Sequence, residues 1–432
     1  MSRAAGAEWT SAPSAVASRR APLPERPPIS RPDRPPERIA PPGRTLPQPW
    51  LGLAGLLLVV PIAVALAVGA GGDGSTRVIG PLVTYSLPLV AMVAFWWEDW
   101  PGTRLRSSWS GWADTVLIIA GAVVLTGIGQ VVAGGLDPAG LFDPSPGPGH
   151  VPTFPTTLPL AGAAFVAMLQ FTLVGEGWPL RRLPRLPAGL FAVAISWAIA
   201  LVAVFTLVRM TPPPGSKAVA RHGPVPGADL GTALVLISAW QILFYVVWRG
   251  WPFSTIAARA RRLSCAHAVV IAGGILTYVV AHDLLELDDT RVAAVGGCFV
   301  AAGLMFGMLF EDWLSGRLST YAERAALLVL TLALAALLAV VLGATADALP
   351  LAQVSPDEWV EHAALNALSI SIILHVAIGR RWPFQRPPQR SRASTDTSGQ
   401  AMRSPKGEPF RRDRTPPGGR SALSRRSPPQ AR

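Results

Sequence analysis

The sequence predicts an all-α integral membrane protein: about ten transmembrane helices arranged as five parallel-oriented two-helix repeats, with disordered tails. Three observations carry this. Half of the 432 residues are apolar and only 15% are charged, well below the roughly 25% of a soluble domain. The apolar residues cluster into ten segments of about 20 residues, long enough at 1.5 Å per residue to cross a hydrocarbon core of roughly 30 Å. A short Trp-centred motif returns five times, each time where an apolar segment ends, and a fixed period of this kind marks tandem structural units.

Residues 1–49 hold twelve prolines and no apolar core. Proline removes backbone donors and disfavours helix, so a disordered, partly polyproline-like arm is expected. The apolar run that begins near Trp50 continues as a full span, which a cleavable signal peptide does not do. The expected spans are 50–70, 78–97, 112–134, 158–177, 186–209, 229–248, 264–283, 291–310, 324–346 and 357–379. Residues 50–384 thus form the membrane domain, and 385–432, rich in Arg, Ser and Pro, form a second disordered tail.

The motif copies are Glu98-Asp-Trp100-Pro-Gly-Thr-Arg104, Glu176-Gly-Trp178-Pro-Leu-Arg-Arg182, Arg249-Gly-Trp251-Pro-Phe-Ser-Thr255, Glu311-Asp-Trp313-Leu-Ser-Gly-Arg317 and Arg380-Arg-Trp382-Pro-Phe-Gln-Arg386. The Trp–Trp intervals are 78, 73, 62 and 69 residues, room each time for two spans and their loops. Each element has an interface role: the indole ring sits at headgroup level, Pro stops the helix, and Arg lies among phosphates. A charge stands two before every Trp, where a Glu can pair with the Arg beyond its own turn. Five such turns read as a topology anchor inherited through duplication or, functionally, as a cytoplasmic binding ring.

The net charge of +12 raises the question of nucleic acid. It resides in the tails, however: 380–432 carry thirteen Arg and one Lys against three acids, and 1–49 carry eight Arg against four. No aromatic interleaving accompanies them, so no nucleic-acid partner is expected; anionic lipid headgroups are. The loops bearing the motif hold eleven Arg, about twice the basic residues of the alternate loops. The motif loops and both termini are therefore expected on the cytoplasmic side. Arg outnumbers Lys 36 to 2 in an Ala-, Gly- and Pro-rich chain, a codon-usage pattern that suggests a bacterial plasma membrane. With two cysteines, Cys265 and Cys298, a disulfide framework and Cys-rich metal sites are excluded. No cofactor motif is present.

Ionisable groups inside spans are costly and become the default functional candidates. Four of the six histidines fall in the seventh and tenth spans. His267 and His375 lie toward the inner ends; His282 and His362 lie toward the outer ends, amid acidic residues. The candidate polar or cation site is His282, Asp283, Glu361, His362 and Asn366, the last two sharing a helix face at i, i+4. It requires the seventh and tenth spans to pack together. Gln130, Gln170 and Gln241 are read as interhelical hydrogen-bonding groups, and Gly303 and Gly307 as a close-packing face.

One pattern resembles the CAAX-prenyl-type intramembrane proteases, which carry Glu-Glu-x-x-x-Arg, Phe-x-x-x-His and His-x-x-x-Asn/Asp on successive helices. Here Tyr278-Val-Val-Ala-His282 and His362-Ala-Ala-Leu-Asn366 fit, but Phe244 and Tyr245 stand where both carboxylates belong before Arg249. Without them no general base activates water, and the resemblance carries no activity over. What remains is a transporter- or channel-like protein for a small solute. The alternative is a scaffold or accessory subunit working through its basic tails.

Overall fold

The computed structural model describes residues 44–105 and 107–385. The expected tails fall outside them, save residues 44–49 and 385: Arg44–Thr45 pairs in parallel with Phe384–Gln385. The two ends of the membrane domain therefore meet. Ten apolar helices follow, as the clustering of apolar residues predicts: α1 Trp50–Val68, α2 Gly72–Trp96, α3 Trp109–Ala133, α4 Leu158–Val174, α5 Arg185–Leu207, α6 Gly227–Val247, α7 Arg259–Leu284, α8 Asp289–Leu309, α9 Thr320–Ala348 and α10 Pro356–Ile378. Among the described residues nine are long and apolar enough to cross a membrane, and α4 is shorter.

The helices sort by burial. In α2, α6, α8 and α10, 56–72% of the apolar window is buried; in the odd-numbered helices the share is 11–39%. The even-numbered helices form a closed ring, α2 against α4, α6, α8, α10 and back to α2. Each odd-numbered helix lies outside, on the even-numbered helix before it in the chain: α3 on α2, α5 on α4, α7 on α6, α9 on α8. The first helix, α1, closes the pattern by packing on α10. Four of these five pairs are thus joined across the Trp motif; α9 also packs on α10, across the opposite loop.

Small residues allow these approaches, as close helix packing in an apolar medium requires. A Cβ on Gly274 of α7 would lie 2.7 Å from the Ile237 Cα of α6. Gly303 and Gly307 of α8 likewise face Ile242 and Val246 of α6. Polar side chains bridge the remaining seams. Trp96 Nε1 donates to Thr172 Oγ1 at 3.0 Å, and Gln241 Nε2 donates to Val166 O at 3.1 Å and to Gln170 Oε1 at 2.7 Å. Gln170 Nε2 stands 2.8 Å from His267 Nδ1. Gln130 instead ties down the 134–157 loop through Val151 O and Thr153 Oγ1. Cys265 is exposed, Cys298 is buried, and neither is in a disulfide.

The motif has one recurring backbone form. Before each Trp the helix widens into a π-turn, the amide three residues before the Trp donating five residues back: Trp97 to Met92, Gly175 to Gln170, Trp248 to Leu243, Phe310 to Met305 and Gly379 to Leu374. In four copies the amide just before the Trp reaches six residues back: Asp99 to Val93, Gly177 to Phe171, Gly250 to Phe244 and Arg381 to His375. Closing the helix this way demands left-handed φ at two successive residues, found at Glu98–Asp99, Glu176–Gly177, Arg249–Gly250 and Arg380–Arg381. The Trp–Pro bond is cis in these four. The fourth copy has Leu314 in place of Pro and keeps the left-handed φ only at Asp312.

At this end the charged residues form a belt between neighbouring turns. Glu98 pairs with Arg185 at 2.9 Å, Glu176 with Arg262 at 2.8 Å, Arg249 with Asp312, Glu311 with Arg381 at 3.0 Å, and Arg380 with Asp99 at 3.0 Å. The expected pairing of Glu with the Arg of its own turn is therefore corrected. The turn is too tight for it, and Arg104 lies over the Trp100 ring at 5.8 Å instead. Arg182 and Arg317 are exposed, as are Trp178 and Trp382, while Trp100, Trp251 and Trp313 are half-buried. Arg386 lies outside the described residues. Burial pushes the Asp99 carboxyl above the ordinary carboxylate range despite the Arg380 guanidinium beside it.

Candidate functional site

The ring encloses a cavity of about 430 Å³ at the end opposite the Trp motifs, a size typical of small-molecule sites. Its walls come from all five even-numbered helices, including Thr84 of α2, Phe165 of α4, Val235 of α6, Asp289 of α8 and Glu361, His362 and Asn366 of α10. Loop residues Phe154, Arg209, Met210 and Pro226 also line it. Two polar anchors hold the surrounding loops. Asp73 accepts from the amides of Ala352, Gln353 and Val354, each at 3.0 Å. Asp137 accepts from Val151 N at 2.7 Å and stands 2.9 Å from His150 Nδ1. Burial works to raise the Asp137 carboxyl, but the Val151 and Gly140 amides and the His150 ring outweigh it and hold the group below its ordinary value of 3.8.

The start of α10 is set by Ser355, whose hydroxyl accepts from Glu358 N while the Glu358 carboxylate accepts from Ser355 N, a capping box. This fixes the register that brings Glu361, His362 and Asn366 to the cavity wall. His362 is only 2% exposed. Its Nε2 lies 3.2 Å from the Leu66 carbonyl of α1; a carbonyl only accepts, so Nε2 carries the proton and Nδ1 is left with a lone pair. That Nδ1 has no partner among the described residues. Opposite it is Gly80 of α2, where a Cβ would stand 3.1 Å from Nδ1.

Of the five site residues expected from sequence, three share this cavity. His282 and Asp283 do not. They lie at the end of α7, an outer helix that packs on α6 and makes no extended contact with α10. His282 stacks on Tyr278 at 5.3 Å, with Nδ1 3.3 Å from Asp289 Oδ1 and Nε2 3.9 Å from Asp283 Oδ1. Asp289 is the link, since it lines the cavity from the other side. Among the described residues no three His, Cys, Asp or Glu side chains converge as metal ligands do.

The chain also has a second, smaller cavity of about 70 Å³ nearer the Trp end, lined by the same five helices and almost wholly apolar. Leu87, Phe165, Ser238 and Leu365 line both cavities and so form the partition between them.

Comparisons with protein families, with curated proteins and with solved structures return no match. The functional reading therefore rests on the geometry.

Sequence reasoning missed Gly80, Thr84 and Arg209 as cavity residues. Gly80 is one of 41 glycines, and nothing local distinguishes it. Thr84 shares a face with Gly80 at i, i+4, a weak sign that only the ring gives meaning.

Proposed function

We propose that this chain is a multi-pass plasma-membrane protein that conducts or transports a small solute along the axis of its helix ring. The observation that carries this is the series arrangement of the two cavities on that axis, polar at one end and apolar at the other, with only Leu87, Phe165, Ser238 and Leu365 between them. A packed scaffold has no need of a hollow with acidic residues in its wall at the centre of its most buried helices. In this reading the five hairpins are tandem, parallel repeats. The recurring turn geometry and the closed order of helices support that, and the Trp motifs face the bacterial cytoplasm, as their Arg content favours. The basic tails then hold anionic lipid on the same side.

The test is swelling of reconstituted liposomes in isosmotic glycerol, urea or methylammonium chloride, followed by light scattering. The protein should accelerate at least one solute over protein-free liposomes, and Leu365→Trp should slow it. Rates equal to protein-free liposomes for all three would sink the proposal and bring the scaffold reading forward.

A further inference from the structure

The acceptor inventory of the larger cavity names a ligand chemistry. Glu361 lines it, and among the described residues no hydrogen-bond donor or cation is found at its carboxylate. His362 Nδ1 offers a lone pair with no donor to fill it, on a side chain that is 2% exposed. Thr84 Oγ1 stands 2.9 Å from Gly80 O and 3.1 Å from Asn366 Oδ1. Asn366 turns its amide oxygen to Thr84 and its nitrogen toward Gly80, so it adds no acceptor of its own. Two unpartnered acceptors on successive residues of one helix, the Glu361 carboxylate and His362 Nδ1, then belong to the wall of one volume. Asp289 and Glu358 add further negative charge, though Glu358 is engaged in its cap and Asp289 with Tyr278 and His282. Arg209, the one Lys or Arg among the lining residues, is exposed at the loop end. Toward the partition the walls turn apolar: Leu87, Phe165, Leu234, Val235 and Leu365.

We infer that this cavity binds a protonated primary amine carrying a compact apolar body. The ammonium lies between Glu361 and His362 Nδ1; the apolar body lies against Phe165, Leu87 and Leu365. A carboxylate alone would accept any cation. A buried imidazole lone pair calls for an N–H, because a buried acceptor left without a donor has lost its water and gained nothing in return. A quaternary ammonium has no N–H to offer, and of the aromatic rings lining the cavity only Phe154 and Phe165 could face it, short of a cation cage. Gly80 leaves the space through which the amine reaches Nδ1. This inference rests on reading the ring axis as the solute path.

The experiment is calorimetric titration of the full-length protein in nanodiscs with cyclohexylammonium chloride, empty nanodiscs being subtracted. Cyclohexanol, tetramethylammonium chloride and sodium chloride are the comparison ligands. Cyclohexylammonium should saturate a single site and bind about tenfold or more tighter than any of the three, the factor expected for a charge-assisted hydrogen bond. Glu361→Gln should bring it down to the cyclohexanol level. Gly80→Ala, whose Cβ would stand 3.1 Å from Nδ1, should weaken it about tenfold while leaving cyclohexanol unchanged. The four ligands are compared on the unaltered protein, so a poorly folding variant does not rescue the idea. Equal binding of amine and alcohol, displacement by sodium at equal concentration, or a Glu361→Gln protein that binds as the unaltered one would each overturn it. Solute flux without amine binding would overturn this inference and leave the transport reading standing; amine binding without flux would do the reverse.

Discussion

Removing ion pairs from the belt at the Trp end should have unequal effects, and the structure says which pair dominates. Glu176 and Arg262 meet in a two-point contact, Nε to Oε1 at 2.8 Å and Nη2 to Oε2 at 3.0 Å. Their side chains are 33% and 23% exposed. Arg259 Nε lies 3.6 Å from the same carboxylate. Glu98 and Arg185 meet at 2.9 Å through one contact, with side chains 59% and 68% exposed. An exposed single-contact pair contributes roughly 0–0.5 kcal/mol, because water and salt screen it and two long side chains lose freedom. A two-point pair held by two charge-assisted hydrogen bonds couples more strongly than a single exposed contact. Double-mutant cycles with Glu176→Gln and Arg262→Gln, and with Glu98→Gln and Arg185→Gln, read these couplings directly. Stability is followed by unfolding in mixed detergent micelles, at low salt and at high salt. The Glu176 cycle should exceed the Glu98 cycle severalfold and keep most of its value in high salt, whereas the Glu98 coupling should vanish. Equal couplings, or a Glu176 coupling lost in salt, would refute the argument that burial and geometry rank the belt.

Asp137→Asn should remove a pH-dependent part of stability. The folded carboxyl is held below 3.8, so its contribution is full above that value and disappears as pH falls through the lower folded value; the unaltered protein should lose its advantage over the variant as the melt is taken from pH 5 to pH 2.5. Gly274→Ala should destabilise by about 1–3 kcal/mol through overpacking, since the new Cβ meets the Ile237 backbone; Gly231→Ala, with open space around it, is the control that should melt as the unaltered protein does. At the partition, Phe165→Ala should join the two cavities and speed solute flux in the swelling assay, opposite in sign to Leu365→Trp.

The helices themselves were legible because a span needs only composition and length. Ten apolar runs became ten helices, and the one that ended early, α4, stops where Gly175 begins the motif turn. The ring order was not legible. The candidate site requires the seventh and tenth spans, α7 and α10, to pack together, and span composition does not say which helices are neighbours. The chain instead packs each outer helix on the even-numbered helix that precedes it. The motif turn that joins them is tightly hydrogen-bonded in every copy, whereas the opposite connections vary widely, from the few residues of 69–71 and 285–288 to 134–157 and 208–226, which carry a short helix and three strands. A trace of the sorting was present in the sequence, since α1, α3, α5 and α9 are each more apolar than α2, α6, α8 or α10. That is what lipid-facing helices require. Only α7 breaks the pattern, and α7 is where the site expectation went astray.

The same topology explains why half of the candidate site was visible. Glu361, His362 and Asn366 sit within six residues, so helical spacing alone puts two of them on one face. What makes them a site comes from far away in sequence. Gly80 and Thr84 arrive because α2 and α10, the first and last helices of the ring, close upon each other. The proton on His362 is placed by Leu66 of α1, the one outer helix that reaches its ring partner without a motif turn to deliver it. Gln48 Nε2 holding Leu309 O at 3.0 Å, Trp359 Nε1 holding Ala67 O at 3.0 Å, and the strand pair at Arg44–Thr45 substitute for that missing turn. The closure that completes the ring is thus the same contact that leaves a buried histidine lone pair without a donor. No local window of sequence contains both halves of it.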